Sequence, residues 1–240
     1  MGTRFVVNFD FRIKDDDIQL SQIIEHFIFI IAQINNLSQM EKDWYETDFS
    51  RKQALNQVAF QNRIITDNTR LKWQRRHKKN MPMFVDGVWD ANDDENSCGI
   101  SYRKMFYDEK NRVSVELSLV VSNEENLLCR FISFVSHLAL FFDCSYMSID
   151  SNGYNLLRRN VFPDRLAVGW ILYIPYIILT GLIPEAVRVV PVMEGEKQKG
   201  TIFVSTENIF DGNNKEHIGK SNDIEIKLLD LGLLPLMTEL

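Results

Sequence analysis

The residue types that most often carry out catalysis are few in this chain and widely separated. The four histidines are His26, His77, His137 and His217. No two of them have the spacing at which both could bind one metal ion, so we expect each to be a solvated surface residue. The three cysteines, Cys98, Cys129 and Cys144, include no CxxC pair, and their odd number favours reduced thiols in a reducing compartment. The sequence therefore predicts no metal centre and no disulfide framework.

Motifs that bind phosphate or activate a nucleophile are also missing from the sequence. It contains no G-x-x-x-x-G-K-[ST], no G-x-G-x-x-G and no G-x-S-x-G segment. Glu124 and Glu125 are adjacent carboxylates, but they precede a predicted helix, where the helix dipole favours negative charge. We therefore predict no catalytic residue and no cofactor. An enzyme whose site is assembled from distant positions stays open as an alternative.

Composition and charge point to a globular protein that does not bind nucleic acid directly. A chain of 240 residues with 45% hydrophobic residues can bury a core of its own. Its net charge of −6 does not favour phosphate binding and suits a basic protein partner instead. The N-terminal residues lack the apolar core and cleavage site of a signal peptide, so we expect a soluble cytoplasmic protein.

The uncharged residues 166–183 (LAVGWILYIPYIILTGLI) are just long enough to require a test for a membrane span. Pro175 lies in the middle of this segment, between Gly169 and Gly181. Its first half has the period of a strand. We therefore expect a buried strand followed by a short helix, and no membrane association.

The N-terminal half should alternate between strands and helices. Phe5, Val7, Phe9 and Phe11 repeat at period two, which predicts a strand. The predictions that follow are a helix near 18–36, a capping-box helix from 50, a solvated basic helix end at 70–79 and a hairpin turn at 86–87.

The C-terminal half should contain hairpin-like strand pairs and two further helices. The predicted strands are 99–107, 112–121, 144–149, 186–193 and 200–205, and the predicted helices are 122–142, opened by a capping box, and 222–231. Because strands and helices fall in separate groups, we predict a single α+β domain over 1–240. Its mainly antiparallel, twisted sheet should be packed with helices.

Residues 160–236 contain several short segments that together form a recognisable pattern. They are 161–166 (VFPDRL), 168–170 (VGW) with Tyr173 and Pro175, 182–186 (LIPEA), 199–202 (KGTI), 222–226 (NDIEI) with Leu229-Asp230, and Leu233-Leu234-Pro235. These segments resemble the immunity protein 52 family. The resemblance implies a role in bacterial polymorphic toxin systems, whose toxins often carry a restriction-endonuclease-like nuclease domain and are delivered by type VI or related secretion. An immunity protein stays in the producer's cytoplasm and blocks the cognate toxin there.

The resemblance therefore implies a protein that neutralises a nuclease toxin by blocking its active site or substrate channel. A secretion-system adaptor is the other alternative to this role. For an adaptor we would expect a large exposed apolar patch and symmetric self-association.

Two acidic clusters are the candidate partner-binding residues. The first consists of Trp89, Asp90, Asp93, Asp94 and Glu95, and the second of Asp15, Asp16 and Asp17. Carboxylates can take the place of DNA phosphates in a basic groove, and tryptophan is enriched among binding hot spots. Alternatively, Trp89 packs on its own sheet and the acidic loop only improves solubility.

Overall fold

The structure, a computed structural model, describes residues 2–13, 18–48, 50–80, 83–93, 95–105, 111–123 and 125–240. These residues form two compact units. The first consists of Gly2 with Phe11–Ser122, and the second of Thr3–Asp10 with Asn123–Leu240. Strand β1 (Gly2–Arg12) therefore contributes residues to both units.

The first unit combines a sheet with three helices. Its further elements are α1 (Leu20–Ser38), β2 (Trp44–Glu46), α2 (Arg51–Ala54), β3 (Val58–Gln61), β4 (Ile64–Ile65), α3 (Asp67–Asn80), β5 (Phe84–Trp89), β6 (Gly99–Lys104) and β7 (Arg112–Ser122). The strand order is β7-β6-β5-β2-β3-β4, and all these pairs are antiparallel.

The core of the first unit is rich in aromatic rings. Phe27 of α1 packs against Phe60, Trp73 and Tyr102, with ring centroids 4.9–5.8 Å apart. All four residues are fully buried. Trp73 lies in the basic segment 70–79, so one side of this helix faces the core. Lys72 and Arg76 pair with carboxylates of the sheet, and the other Arg and Lys residues of the segment are exposed.

The second unit contains two long helices and the remaining strands. Its elements after β1 are α4 (Leu127–Phe142), β8 (Tyr146–Ser151), β9 (Ile171–Ile174), a 3₁₀ helix (Thr180–Leu182), β10 (Arg188–Glu194), β11 (Lys197–Val204) and α5 (Lys215–Asp230). The strand order is β10-β11-β9-β8-β1, again antiparallel, and β1 pairs with β8 from Phe5 opposite Ser151 to Asp10 opposite Tyr146.

The predicted α+β class with an antiparallel sheet is confirmed. Phe5, Val7, Phe9 and Phe11 are buried, as their period-two spacing predicted. The uncharged segment 166–183 holds strand β9 followed by the 3₁₀ helix, which also agrees with the prediction. Across the part of the chain that the structure describes, no helix has both the length and the apolar character needed to cross a bilayer.

Three local predictions were wrong. Asp86-Gly87 is not a hairpin turn, because β5 continues through it and pairs Gly87 with Ser101 of β6. Helix α4 is not opened by a capping box at 122–125. It begins at Leu127, after an N-cap residue, Asn126, in the left-handed conformation. Helix α5 begins at Lys215 rather than near 222, because the Asn214 side chain accepts the N–H of Glu216 and caps it.

Candidate functional site

The most distinctive surface of the first unit is a depression on the outward face of strands β5, β6 and β7. On this face Trp89 lies opposite Gly99 and Gly99 opposite Ser118, while Gly87 lies opposite Ser101. Four neighbouring positions therefore carry glycine or serine, and no large side chain covers the backbone there. The resulting depression, which we call the Gly-Ser depression, has a volume of about 490 Å³.

Larger side chains form the walls of the Gly-Ser depression. Val85 and Trp89 of β5 line it, as does Glu116 of β7, which lies opposite Ser101. The Trp89 indole Nε1 donates to the Glu46 carbonyl oxygen at 3.3 Å, which holds the ring in place. Val85 is 50% exposed. The depression thus offers both apolar surface and a carboxylate.

An ion pair between a helix and the sheet closes one end of the depression. The Arg76 guanidinium of α3 donates to Asp86, and the N–H of Gly87 donates to Asp86 Oδ1 at 2.9 Å. Burial raises the pKa of the Asp86 carboxyl, and Arg76 opposes that shift. Because both oxygens of Asp86 have partners, this end of the depression is held in one conformation.

A buried polar cluster lies on the inward side of the neighbouring strand β2. The Glu46 carboxylate accepts from Lys72 of α3, and the same ammonium group donates to Gln57. Glu46 is 2% exposed, so its charge depends on this pair for compensation. The cluster joins α3 to the strand whose carbonyl holds Trp89.

Asp90, one of the predicted partner-binding residues, is directed into the protein. Its side chain is fully buried, and Lys42 Nζ lies 2.7 Å from Asp90 Oδ2. The N–H of Cys98 donates to Asp90 Oδ1 at 2.9 Å, and Asn92 Nδ2 donates to Oδ2 at 2.9 Å. The Asp90 carboxylate therefore fixes both ends of the acidic loop and is not displayed to a partner in this structure.

The other predicted partner-binding residues lie in the depression, in the loop that follows it, or outside the described residues. Trp89 lines the Gly-Ser depression, and Asp93 and Glu95 are exposed in the loop that follows it. Asp93 Oδ1 accepts from both the backbone and the side-chain N–H of Asn96, which shapes the loop. The remaining predicted residues, Asp15, Asp16, Asp17 and Asp94, lie outside the described residues. Partner binding by all eight residues stays a prediction.

The histidines are less solvated than the sequence suggested. His26 Nδ1 lies 2.9 Å from the Tyr102 hydroxyl, and burial lowers the pKa of His26 to about 4. His77 Nε2 is 2.7 Å from the Ile18 carbonyl oxygen, and His217 Nδ1 accepts the N–H of Asp211 at 2.9 Å. The prediction of a solvated residue is therefore wrong for His26, whereas His77 and His217 are half-buried and His137 is exposed as predicted. Within the described ranges, no three His, Cys, Asp or Glu residues converge to form a metal site.

The second unit has a smaller depression of about 360 Å³ at the start of α4. Arg188 pairs with Glu207 there through two hydrogen bonds of 2.8 and 2.6 Å. Cys129 is exposed beside them, with its sulfur 3.8 Å from Arg188 Nη1, while Cys98 and Cys144 are buried. All three cysteines are free in this structure.

Comparison with known proteins gives a structural likeness without a sequence relative. No protein-family model matches this chain, and no curated protein matches its sequence. Among solved structures, the Pseudomonas aeruginosa T6SS protein PA0821 is similar, with a TM-score of 0.55 and 9% sequence identity. The likeness covers 95% of this chain and 76% of that one. At this identity it shows a shared fold.

Proposed function

We propose that this protein acts by binding rather than by catalysis, as an immunity protein that neutralises a cognate bacterial toxin. In this proposal it blocks the active site or substrate channel of the toxin. The observation that carries the proposal is the preformed Gly-Ser depression, with Trp89 in its wall and the exposed acidic residues Asp93 and Glu95 in the adjoining loop.

The form of the depression suits a projecting side chain from a protein partner. Its floor of Gly87, Gly99, Ser101 and Ser118 is low, so a partner residue can reach the sheet backbone. Burial of Trp89 and Val85 would supply apolar contact at the centre of the interface. Since Trp89 is already held by the Glu46 carbonyl, little conformational entropy is lost on binding.

The charge of the chain supports a basic partner such as a nuclease. The net charge is −6, and Asp93 and Glu95 are exposed beside the depression. Acidic groups of this kind speed association with an electropositive groove and can compete there with DNA phosphates. The likeness to a T6SS protein and the resemblance of residues 160–236 to an immunity family both support a toxin delivered by type VI secretion.

A secretion-system adaptor is a second candidate, and one observation favours it. Residues 175–187 of the second unit expose large apolar side chains, among them Ile177 at 67% and Leu179 at 72%. An exposed apolar segment of this size is typical of an assembly surface. An adaptor would bind components of the secretion apparatus and would leave toxin activity unchanged.

Titration calorimetry against the toxin separates these two functions. The titrant is the C-terminal domain of the protein encoded by the adjacent upstream gene, and its DNA cleavage is assayed in parallel. We expect one-to-one binding with a dissociation constant on the order of 1 nM or below, together with complete loss of cleavage. An active toxin domain that shows no binding at micromolar concentrations would refute the proposal.

A single substitution tests whether the Gly-Ser depression is the binding site. Gly99→Val places a branched side chain on the floor, and its Cβ would meet only the Val88 carbonyl oxygen, at 3.8 Å. The sheet should accept this change, while toxin affinity should fall by about 100-fold or more, since hot-spot contacts of 2–4 kcal/mol are lost. Ser114→Val on the same face of β7, outside the depression, is the matched control and should change affinity less than about threefold.

A second set of variants tests the role of the acidic loop. Asp93→Asn, Asp94→Asn and Glu95→Gln are combined, and association is measured at low and high salt. The association rate should fall by about tenfold at low salt and much less at high salt, because charge acts mainly on the encounter. Unchanged rates at both salt concentrations would remove the acidic loop from the proposal.

A further inference from the structure

The second unit displays a continuous apolar loop at its surface, which we call the apolar loop (residues 175–187). Five of its large apolar side chains are at least 40% exposed: Tyr176, Ile177, Leu179, Leu182 and Val187. The charged residue of this loop is Glu185, which is half-buried. The apolar loop thus exposes large apolar side chains, while its charged residue is half-buried.

Contacts with the body of the unit fix the conformation of the apolar loop. Ile178 and Ile183 are buried in the core and anchor it from within. The N–H of Ile178 donates to Thr201 Oγ1 at 3.2 Å, and that hydroxyl donates to the Tyr176 carbonyl oxygen at 2.7 Å. Because these anchors leave Ile177 and Leu179 pointing outward, the fold itself holds both side chains exposed.

The exposed area of the apolar loop approaches what an interface requires. Its five exposed side chains present roughly 100 Å² each, on the order of 500 Å² in total, near the upper size of apolar patches on monomers. A standard interface buries about 800 Å² per partner, and in homodimers about 65% of that is apolar. The apolar loop therefore supplies about the apolar area of one side of a homodimer interface.

Charged residues of both signs lie beside the apolar loop. Lys199 lies 3.1 Å from Glu194 on the β10–β11 hairpin, and Arg188 lies 2.6 Å from Glu207. Glu185 of the loop lines a depression together with Asp223, Lys227 and Asp230 of α5. In a two-fold contact, each copy of the chain therefore offers both carboxylates and cations to the other.

We propose that two copies of this chain associate through the apolar loop to form a two-fold symmetric dimer. The contact is made by side chains, because the strand β10 next to the loop is a poor edge for adding another strand. Pro191 lacks an N–H, and the register of β10 shifts between Val192 and Met193. Tyr176, Ile177 and Leu179 of one copy pack on the same residues of the other.

Sedimentation velocity of the full chain, from about 1 µM to about 200 µM, tests the dimer. The wild-type chain should pass from monomer to dimer in this range. The double variant Ile177→Glu/Leu179→Glu should weaken the association by at least about 100-fold, since it places four carboxylates in one contact. Leu156→Glu is the matched control, because Leu156 is 86% exposed in the same unit but lies outside the apolar loop. That variant should associate like the wild type.

Two results would overturn the dimer proposal. The first is a wild-type chain that stays monomeric throughout the range, and the second is a dimer that the double variant does not weaken. If the chain is monomeric, loss of toxin binding or of phospholipid-vesicle binding in the double variant would show what the apolar loop contacts instead. Circular dichroism of each variant verifies that the substitutions leave the fold intact. Toxin binding is scored separately, so failure of the dimer and failure of the immunity function are distinguishable.

Discussion

The ammonium group of Lys42 lies 2.7 Å from Asp90 Oδ2, and the Asp90 side chain is completely buried. Replacement of Lys42 by methionine would leave this carboxylate without its countercharge. We expect the free energy of unfolding to fall by about 3–5 kcal/mol, the usual cost of breaking a buried pair from one side. Urea unfolding of the wild type and the variant measures this loss.

An exposed ion pair in the same unit is the control for Lys42. Arg63 lies 2.9 Å from Glu41, with both side chains about half exposed. Arg63→Met should therefore cost less than about 1 kcal/mol. Equal effects of the two substitutions would show that burial does not set the strength of the Lys42–Asp90 pair.

Two strand glycines should respond in opposite ways to substitution by alanine. A Cβ at Gly200 would lie 2.5 Å from both the Ile174 carbonyl oxygen and Tyr173 Cε2, and strand β9 would have to move. Gly200→Ala should destabilise the protein by about 2 kcal/mol or more. A Cβ at Gly99 would make only an ordinary van der Waals contact with the Val88 carbonyl oxygen, at 3.8 Å, so Gly99→Ala should be neutral or stabilising by up to about 1 kcal/mol. Thermal unfolding of both variants compares them, and a similar loss at both sites would contradict the structure.

Asp150 should make the protein less stable as pH rises. Burial raises the pKa of this carboxyl to about 6, so the folded state holds the proton more tightly than the unfolded state does. Its stabilising contribution is present below about pH 4 and is lost as pH rises through 6. Asp150→Asn keeps an acceptor for the Asn155 N–H and removes the charge. The variant should gain roughly 2–3 kcal/mol at about pH 7.5 and nothing at about pH 4 in urea titrations.

His26 should make the protein less stable as pH falls, which is the opposite of the effect expected for Asp150. Its pKa of about 4 lies below the ordinary value, so the folded state binds the proton less well than the unfolded state. Its contribution is present above about pH 6.5 and is lost as pH falls through 4, with a magnitude of roughly 3 kcal/mol. His26→Gln retains a side-chain amide that can hydrogen-bond to the Tyr102 hydroxyl but does not titrate. The difference in unfolding free energy between wild type and variant should therefore shrink toward low pH, and a pH-independent difference would contradict this account.

Sequence patterns predicted those parts of the fold that depend on local periodicity. The alternation in β1 and β7 was sufficient, because one face is buried from Phe5 to Phe11 in β1 and from Val113 to Val121 in β7. The hairpin turn predicted at Asp86-Gly87 was wrong, because Gly87 allows a close approach between two strands. A Cβ at Gly87 would lie 2.9 Å from the Ile100 carbonyl oxygen. Local turn preferences hold no information about a contact of this kind.

Only part of the candidate site could be predicted from the sequence. Trp89 was predicted to contact a partner, and it lines the Gly-Ser depression. The floor was missed, because it exists only when Gly99 is in register with both Trp89 and Ser118, which lie in different strands. The burial of the Asp90 carboxylate was missed for a similar reason, and partner binding by Asp90 stays a prediction. Its partner Lys42 is 48 residues away along the chain.

The division of β1 between the two units affects the order in which the strands can pair. Residues 3–10 are synthesised long before their partner strand β8, which spans Tyr146–Ser151. At ordinary rates of synthesis, β1 therefore waits on the order of ten seconds for this neighbour. During that time its apolar side chains, from Phe5 to Phe11, are open to wrong pairings and to chaperones. Deletion of residues 3–10 should therefore damage the second unit, although its other strands are synthesised long after the deleted residues.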